Sequence, residues 1–297
     1  MPRVGLSGDP KATDSQRPGR SRLLGGIAVL LLDIDTKYSA YGEYSAYVTT
    51  LLAGLGMSGN CSPSMMRPDG REDVGKLRTL EAKVGLLNKP DGSAQFSCTS
   101  PNNAATSVLC SVYGPVEPLM RDEKLDKATV IVDVEPLSGP KNTSTTLLQY
   151  HIRQILTPLV LTALHPRTAI SLTFQIMADD GGVLAACINS GIFALMDAGI
   201  PLKSLVAAIS IGILSNGLLI IDPCEAECEG VSSLHMFALE GRNDQVGNTL
   251  GNLSVGVYSR DDYVACHDVA KSAVAALFQF MRQTMQGKIV GEIRIPM

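Results

Sequence analysis

The sequence predicts an α+β fold in which helices cover mixed β-sheets. Short segments that are apolar throughout, or that alternate between apolar and polar residues, are typical of strands. Three longer segments repeat apolar residues three and four positions apart, which is typical of helices. The segments follow in the order several strands, helix, strand, helix, several strands, helix, and this order indicates two related halves.

The first half of the predicted fold contains four strands before its helix. The strands are bounded by turn sequences rich in proline and glycine, and they cover Thr79–Leu87, Ala94–Thr99, Thr106–Tyr113 and Ala128–Val134. The helix is predicted from the apolar repeat over residues 148–163, with Thr143 or Ser144 as its cap. Pro158 lies inside this repeat and should bend the helix or mark its end.

The second half begins with a strand over Thr168–Met177 and a helix from Val183. Small residues on one face of this helix allow a close approach to a sheet or to another helix, and Gly199 with Pro201 ends it. Further strands are predicted at Leu205–Leu214, Gly217–Ile221, Leu234–Glu240 and Ser254–Tyr258.

A final helix closes the predicted domain. Ser259 begins it, and Asp261 and Asp262 lie in its first turn, where carboxylates favour the positive end of the helix dipole. Gly287 marks its predicted end. The predicted buried stripe comprises Cys266, Val269, Ala270, Ala273, Val274, Leu277, Phe278 and Met281.

Composition limits the classes of protein to which the chain can belong. Its 297 residues are 45% apolar and 18% charged, as in a soluble globular protein with one sizeable domain or two small ones. A net charge of −4 argues against a broad basic face for nucleic acid, because phosphate neutralisation needs clustered Lys and Arg. Seven irregularly spaced cysteines indicate buried thiols in a reducing compartment.

The two ends of the chain differ from the predicted domain. Residues 1–66 are expected to be a flexible extension or the product of a misassigned start, and residues 291–297 a tail, so the domain covers 67–290. The apolar run Leu23–Leu32 is too short for a membrane span, so no membrane association is expected.

Two charged groups are interpreted as solvated surface. Cys224 and Cys228 stand four positions apart among four acidic residues, and we interpret this segment as an acidic loop and not as a metal site. Solvated surface charge is also the interpretation for the densest basic group, which comprises Arg67, Arg71, Lys76, Arg78, Lys83 and Lys89.

The motifs, taken together, resemble those of the RNase PH family. The matching sequences are RPDGR at 67–71, GLLNKPDGSAQFS at 85–97, SVLCSVYGPVEP at 107–118, IRQIL at 152–156, HPRTAISLTFQIMADDGG at 165–182 and NSGIFALMDAGIP at 189–201. The family includes bacterial phosphate-dependent exoribonucleases and the ring subunits of the eukaryotic RNA exosome, and the wording of these motifs resembles one branch of the ring subunits. The resemblance implies an RNase PH-like fold (ribosomal protein S5 domain 2-like) with two βαβ-type halves, and an oligomeric state.

The resemblance also allows a judgement on catalysis. Active relatives have an acidic residue before a glycine turn, which matches Asp180 and possibly Asp179, and an arginine in the preceding helix, which matches Arg153. They place a further acid on the strand before the turn, where this chain has Leu172, Thr173, Phe174 and Gln175, and an arginine after the glycines, where it has Val183, Leu184 and Ala185. The loop CTSPNNAATSV at 98–108 also lacks the aspartate of relatives.

Each missing charged group removes transition-state stabilisation, by roughly a hundredfold to a thousandfold in rate. We therefore expect no catalytic residue, with Asp180 and Asp179 as vestigial candidates and Arg153 as a candidate phosphate ligand. A structural role in which Asp180 and Arg153 pair to orient the loop is favoured over residual chemistry. No metal and no cofactor are expected.

The function expected from the resemblance is that of an inert RNA exosome ring subunit, which supports 3′-to-5′ RNA processing, including rRNA maturation and RNA turnover. Its partners would be other RNase PH-like ring subunits, cap subunits and RNA passing through the channel, in the nucleus, nucleolus and cytoplasm. The alternatives are an active phosphate-dependent exoribonuclease that uses Asp180, Arg153 and Mg²⁺, and a self-associating nucleic-acid-binding protein outside any exosome. The sequence does not identify the neighbouring subunits or the residues that contact RNA.

Overall fold

The computed structural model describes residues 67–71, 73–242 and 245–293. Within them the chain forms nine strands and four helices, so the predicted α+β class is confirmed. The extension expected over residues 1–66 lies outside the described residues, as do residues 294–297 of the expected tail. Among the described helices, none combines the length and the apolar character that crossing a membrane requires.

Five strands form the first sheet, in the order β1-β2-β3-β5-β4. Neighbouring strands are antiparallel except β4 and β5, which are parallel. Parallel neighbours need a crossover connection, and helix α1 supplies it. The bounds are β1 Thr79–Val84, β2 Gly92–Thr99, β3 Ala105–Val116, β4 Thr129–Glu135, α1 Thr143–Leu156 and β5 Ala169–Ala178.

Helix α1 begins earlier than the sequence predicted. Its N-cap is Asn142, whose backbone N–H donates to Thr145 Oγ1 at 2.9 Å. The prediction of Thr143 or Ser144 was wrong by one or two residues, because the hydroxyl that satisfies the cap lies at the third helical position and not at the cap. The helix ends at Leu156, and Pro158 therefore marks its end without bending it.

The second sheet has four strands in the order β7-β6-β8-β9, and every neighbouring pair is antiparallel. Of the two βαβ-type halves expected, the first contains one at β4, α1 and β5, but the second does not. Its described strands are antiparallel neighbours, and β6, β7 and β8 are joined by a turn and by the one-turn helix α3, so the described residues contain no crossover. The bounds are β6 Leu205–Leu214, β7 Leu219–Ile221, α3 Glu225–Cys228, β8 Val231–Arg242 and β9 Gln245–Gly256.

Strand β9 is longer than the sequence predicted. The prediction covered only Ser254–Tyr258, whereas the strand begins at Gln245 and pairs with β8 to the end of the sheet. Glycine and asparagine, which are depleted in strands, make up four of the nine residues in the missed part, 245–253. Pairing with β8 therefore overrides a weak local preference.

Helix α2 (Val183–Asp197) lies between the two sheets and contacts β2, β3 and β6. All residues from Leu184 to Leu195 are buried. A Cβ on Gly191 would lie 2.9 Å from the Phe174 ring, so the absence of a side chain there lets the helix approach the first sheet closely. The close approach predicted from the small residues is confirmed.

Helix α4 (Arg260–Ile293) contacts β6 and β8, and its predicted stripe from Cys266 to Met281 is buried. The predicted end at Gly287 was wrong, because the helix continues to Ile293 and includes the first three residues of the expected tail. A glycine inside a helix costs about 1 kcal/mol relative to alanine, which does not stop a helix held by tertiary contacts.

We expect Gly92→Ala to destabilise the fold by about 1–3 kcal/mol or more, because the new Cβ would lie 2.4 Å from Ala194 O and 2.5 Å from Ala198 N. These are backbone atoms of α2 and its end, which cannot turn away. Urea unfolding of the variant measures the change. Gly230→Ala, where the nearest atom would be 3.7 Å away, is the matched control; equal losses in the two variants would contradict the close packing of β2 on α2.

Candidate functional site

The turn between β5 and α2 carries the two candidate carboxylates, Asp179 and Asp180. Gly181 and Gly182 follow with φ of +83° and +70°, in the left-handed region that favours glycine. A Cβ on Gly181 would also lie 2.8 Å from Pro223 O. The turn therefore needs glycine both for its conformation and for its contact with the segment after β7.

Asp179 stabilises the turn locally. Its side chain is exposed, and Oδ1 accepts a hydrogen bond from the Gly181 N–H at 3.1 Å. The N-cap of α2 is Gly182 and not Asp179. Asp179 therefore stabilises the turn and does not cap the helix. This structural role is similar to the capping role that the sequence favours for a carboxylate at a helix start.

Asp180 faces Arg78, which holds the whole turn. Arg78 Nη1 donates to Asp180 O at 2.9 Å and lies 3.5 Å from Asp180 Oδ2, while Nη2 donates to Gly181 O at 3.2 Å. Thr106 Oγ1 accepts from the Asp180 N–H at 3.1 Å and donates to Gly181 O at 2.7 Å. Three backbone groups of the turn, the Asp180 N–H, the Asp180 O and the Gly181 O, are thus bound by the buried side chains of Arg78 and Thr106.

Arg78 is in turn bound by Asp222, which directly follows β7. Two side-chain bonds join them, from Nε to Oδ2 at 2.9 Å and from Nη2 to Oδ1 at 2.7 Å, and the Arg78 backbone N–H also donates to Oδ2 at 3.3 Å. Burial alone raises the pKa of Asp222, but attraction to Arg78 and then to Arg71 outweighs burial and holds this pKa below its ordinary value. Asp222 is therefore a buried carboxylate that stays ionised because it is paired.

A second buried pair adjoins the first. Arg67 donates to Glu227 through Nε at 2.6 Å and through Nη2 at 2.7 Å, a bidentate geometry that guanidinium and carboxylate favour. Arg71 contacts Asp69 and lies 3.6 Å from Glu227 Oε2. Both arginines also donate to backbone carbonyls of Ile221 or Asp222. The cluster of Arg67, Arg71 and Arg78 with Asp69, Asp180, Asp222 and Glu227 is called the buried charge network below.

The two surface interpretations made from the sequence were wrong at these positions. Arg67, Arg71 and Arg78 have at most 6% of their surface exposed, and Asp222, Cys224 and Glu227 at most 7%. Asp222 and Glu227 are therefore buried partners of the basic group, whereas Glu225 and Glu229 in the same segment are exposed, as the sequence predicted. Each charge was interpreted alone, whereas the opposite charge that permits its burial lies about 150 positions away in the sequence.

Arg153 does not take part in this network. It is exposed on α1, and no hydrogen bond or ion pair joins it to Asp180 among the described residues. The predicted pairing of Asp180 with Arg153 was wrong, since Arg78 is the cation that orients the turn. Phosphate binding by Arg153 stays a prediction.

Gln175 occupies the strand position where an additional acid is expected in active relatives. Its amide donates from Nε2 to Pro136 O and to Ile176 O, both at 3.1 Å. Leu172 and Phe174 on the same strand are buried in the core. β5 therefore directs no carboxylate toward the turn, and a neutral amide cannot serve as an anionic metal ligand or a general base there.

Two further features lie beside the network. Asp69, Cys224 and Glu227 bring possible metal-ligand atoms within 4.8 Å of one another, but Arg67 and Arg71 already bind the two carboxylates. A cavity of about 20 Å³ between Arg78, Gly182, Ser210 and Asp222 has room for a single water and none for a nucleotide.

Comparison with known proteins places these features in a family. Residues 76–201 match the 3′ exoribonuclease family, domain 1. The exosome complex component RRP46 of Saccharomyces cerevisiae is 31% identical over 221 residues, covering 71% of this chain and 97% of the relative. The exosome complex exonuclease RRP46 homolog of Arabidopsis thaliana is 30% identical over 234 residues, covering 74% and 95%.

The fold agrees with the sequence match. The crystal structure of rice (Oryza sativa) Rrp46 aligns with a TM-score of 0.68 at 29% identity, over 74% of this chain and all of that one. The chain belongs to the RNase PH family. The resemblance to the RNase PH family is therefore confirmed. The motifs resemble the branch of ribosomal-RNA-processing protein 46, and these relatives belong to the same branch.

The sequence analysis did not identify Arg78, Thr106 and Asp222 as the residues that hold the turn. A weak signal was present for Asp222, which is a single carboxylate directly after the apolar run LLII and before a proline. Nothing in the sequence indicates Thr106, which lies in the β2–β3 region that was considered only for its missing aspartate.

We expect Arg78→Ala to destabilise the protein by about 3–5 kcal/mol, because it removes the cation and both side-chain hydrogen bonds that pair with the buried Asp222. Thermal or urea unfolding measures the loss. Lys83→Ala is the control, since Lys83 forms an exposed pair with Glu81 and should cost at most about 1 kcal/mol. A loss for Arg78→Ala no larger than that of the control would contradict the role of the network.

Stability should fall in acid as the network's carboxylates protonate. The pKa values of Asp222 and Glu227 are lowered in the folded protein, so their contribution is complete above the unfolded values of about 4 and is lost as the pH falls through the folded values. Urea unfolding between pH 7 and pH 3 should show this decline.

Glu227→Gln tests the origin of that decline. The amide keeps the shape of the side chain but does not titrate, so the variant should be less stable at pH 7 and lose less stability below pH 4. Glu81→Gln, at an exposed site, should follow the parent profile. An unchanged acid profile in Glu227→Gln would show that other carboxylates cause the decline.

Proposed function

We propose that this chain is a catalytically inert ring subunit of an RNA exosome. It supports 3′-to-5′ RNA processing and degradation, including rRNA maturation and RNA turnover, by holding the ring together while other subunits cleave RNA. Its partners are other RNase PH-like ring subunits, cap subunits and the RNA that passes through the assembled channel. We further propose that it acts in the nucleus, nucleolus and cytoplasm.

The state of the Asp180 turn carries this proposal. Phosphorolysis needs cations that bind the phosphate nucleophile and acids that converge on the reacting atoms. Here the arginine nearest to Asp180 is Arg78, which is buried and already bound by Asp222. Gln175 supplies an amide in place of a second acid, and the adjoining cavity admits a single water.

The assembly role rests on the relatives. Two relatives match this chain over nearly their whole length, and both are named for the exosome complex. A ring accommodates an acidic subunit, because several subunits together can line a channel with few cations from each. This agrees with the net charge of −4.

One observation favours an active phosphate-dependent exoribonuclease as the second candidate. Asp180 and the glycine turn are present, and two plant relatives carry the word exonuclease in their names. In this alternative Asp180 would act with Arg153 and Mg²⁺. The two candidates differ in whether the purified chain consumes phosphate.

We expect the purified full-length chain, incubated with single-stranded RNA, inorganic phosphate and Mg²⁺, to release no more nucleoside diphosphate than Asp180→Asn does. An RNase PH enzyme in a parallel reaction confirms that the assay works. Release of nucleoside diphosphates that disappears in Asp180→Asn would overturn the inert assignment and support the second candidate.

The proposed role in the ring is tested by identifying the proteins that bind the chain. Affinity purification of the full-length chain from its source cells, followed by mass spectrometry, should recover other RNase PH-like subunits and cap subunits in similar amounts. Recovery of a homo-oligomer without these subunits would contradict the ring assignment and support a self-associating protein.

A further inference from the structure

His235, on strand β8, is the only fully buried histidine of the four in the chain, all of which lie within the described residues. Its Nε2 lies 3.1 Å from Ser233 Oγ, and its Nδ1 lies 2.9 Å from Ser254 Oγ on the paired strand β9. A neutral imidazole has one N–H, so one hydroxyl accepts from the ring and the other donates to it. Both ring nitrogens are therefore satisfied while the ring is neutral.

Aromatic rings surround the rest of this imidazole. Tyr258 meets it edge-on at a centroid distance of 4.6 Å, and Tyr263 on α4 does so at 5.9 Å. Phe237 stacks on it at 6.1 Å with an angle of 17° between the rings. Its polar partners among the described residues are the two hydroxyls and no carboxylate. A proton added to His235 therefore places a charge in a site that has no anion in contact with it.

The charged groups that face His235 come from the start of α4. Asp262, in the first turn, attracts a proton on the ring, but it is exposed to water and accepts from the Ser259 N–H at 3.1 Å. Arg260 and Asp261 beside it are exposed and opposite in charge. The strands that flank β8, β6 and β9, contain no charged residue. Burial lowers the pKa of His235 below its ordinary value, and Asp262 offsets only part of this shift.

A second histidine joins β9 to α4. His267 Nε2 lies 2.9 Å from Thr249 Oγ1 on β9, and the His267 ring meets Phe237 at 5.7 Å. Burial and then Lys271 lower the pKa of His267, and Asp268 opposes them. Besides its ladder with β8, β9 contacts α4 and α1. Two side-chain contacts of β9 thus depend on imidazoles that are neutral at pH 7.

We propose that His235 and His267, called the histidine pair below, form an acid-sensitive attachment of β9, which loosens from α4 and from the start of β8 when the solution becomes mildly acidic. A proton on His235 converts the accepting nitrogen into a donor, so the serine that donated to it loses that hydrogen bond. Local opening returns the charged ring to water and removes the cost of burying it.

The direction of the pH dependence follows from the lowered pKa values of the histidine pair. Each histidine binds a proton more readily when β9 is open, so opening becomes easier as the pH falls below the open-state value of about 6.5. The attachment is complete above that pH and is lost as the pH falls toward the folded values. The carboxylates of the buried charge network protonate only at about pH 4 and below, so the two acid responses are separable.

Hydrogen exchange on the isolated full-length chain at pH 7 and pH 5.5 tests the proposal, after correction for the intrinsic effect of pH on exchange. Opening of residues 249–256 and 261–267 should increase up to about tenfold per histidine, because pH 5.5 lies about one unit below the pKa of an open histidine. Amides of β3, in the other sheet, should keep their protection. Equal opening of β9 at the two pH values would overturn the proposal.

Glutamine variants identify the groups responsible. Glutamine keeps a hydrogen-bonding side chain but does not titrate, so His235→Gln should reduce the acid-induced opening severalfold, and adding His267→Gln should abolish it. His165→Gln is the matched control, because His165 lies in the connection between α1 and β5 and should keep the parent response. A double variant that opens in acid as much as the parent does would assign the response to carboxylates and overturn the proposal.

Proton NMR of the four imidazoles provides a measurement that needs no variant. The C2–H resonance of His235 should titrate below the ordinary value of about 6.5, over the pH range in which β9 opens. A His235 that titrates at or above that value would overturn the proposal even if the glutamine variants fail to fold.

Discussion

The buried charge network is the interaction on which the rest of the structure depends. Arg67 and Arg78 lie at the start of the domain, yet their carboxylate partners Glu227 and Asp222 follow 160 and 144 positions later. A guanidinium can be buried only if an anion and backbone carbonyls replace its water. The first sheet and the segment after β7 are therefore fixed relative to each other wherever these arginines are buried.

The same constraint explains why the glycine turn has its shape. Arg78 binds Asp222 with two nitrogens and still reaches the carbonyls of Asp180 and Gly181. A carboxylate that faces a structural cation is well placed to stabilise a turn but poorly placed to act on a substrate. A motif inherited from an enzyme family can thus persist for its contribution to folding.

Prediction from the sequence succeeded where burial follows local periodicity. The stripe from Cys266 to Met281 and the small residues of α2 repeat at helical spacing, and both are buried as predicted. It failed where a partner distant in sequence decides. Strand β9 reads as a glycine- and asparagine-rich loop until β8 pairs with it, and Gly287 reads as a helix end until Lys288, the next residue of α4, pairs with Asp197 of α2.

The sequence by itself determined the α+β class, the RNase PH family and the identity of the turn that carries Asp179 and Asp180, because these follow from short motifs and from periods of two and 3.6 residues. Only the tertiary structure decided which cation meets Asp180, since Arg78 and Arg153 are equally charged in the sequence and only one is buried beside the turn. The physical reason is that a charge's surroundings, its solvation and its partner are properties of the folded chain and not of the residue.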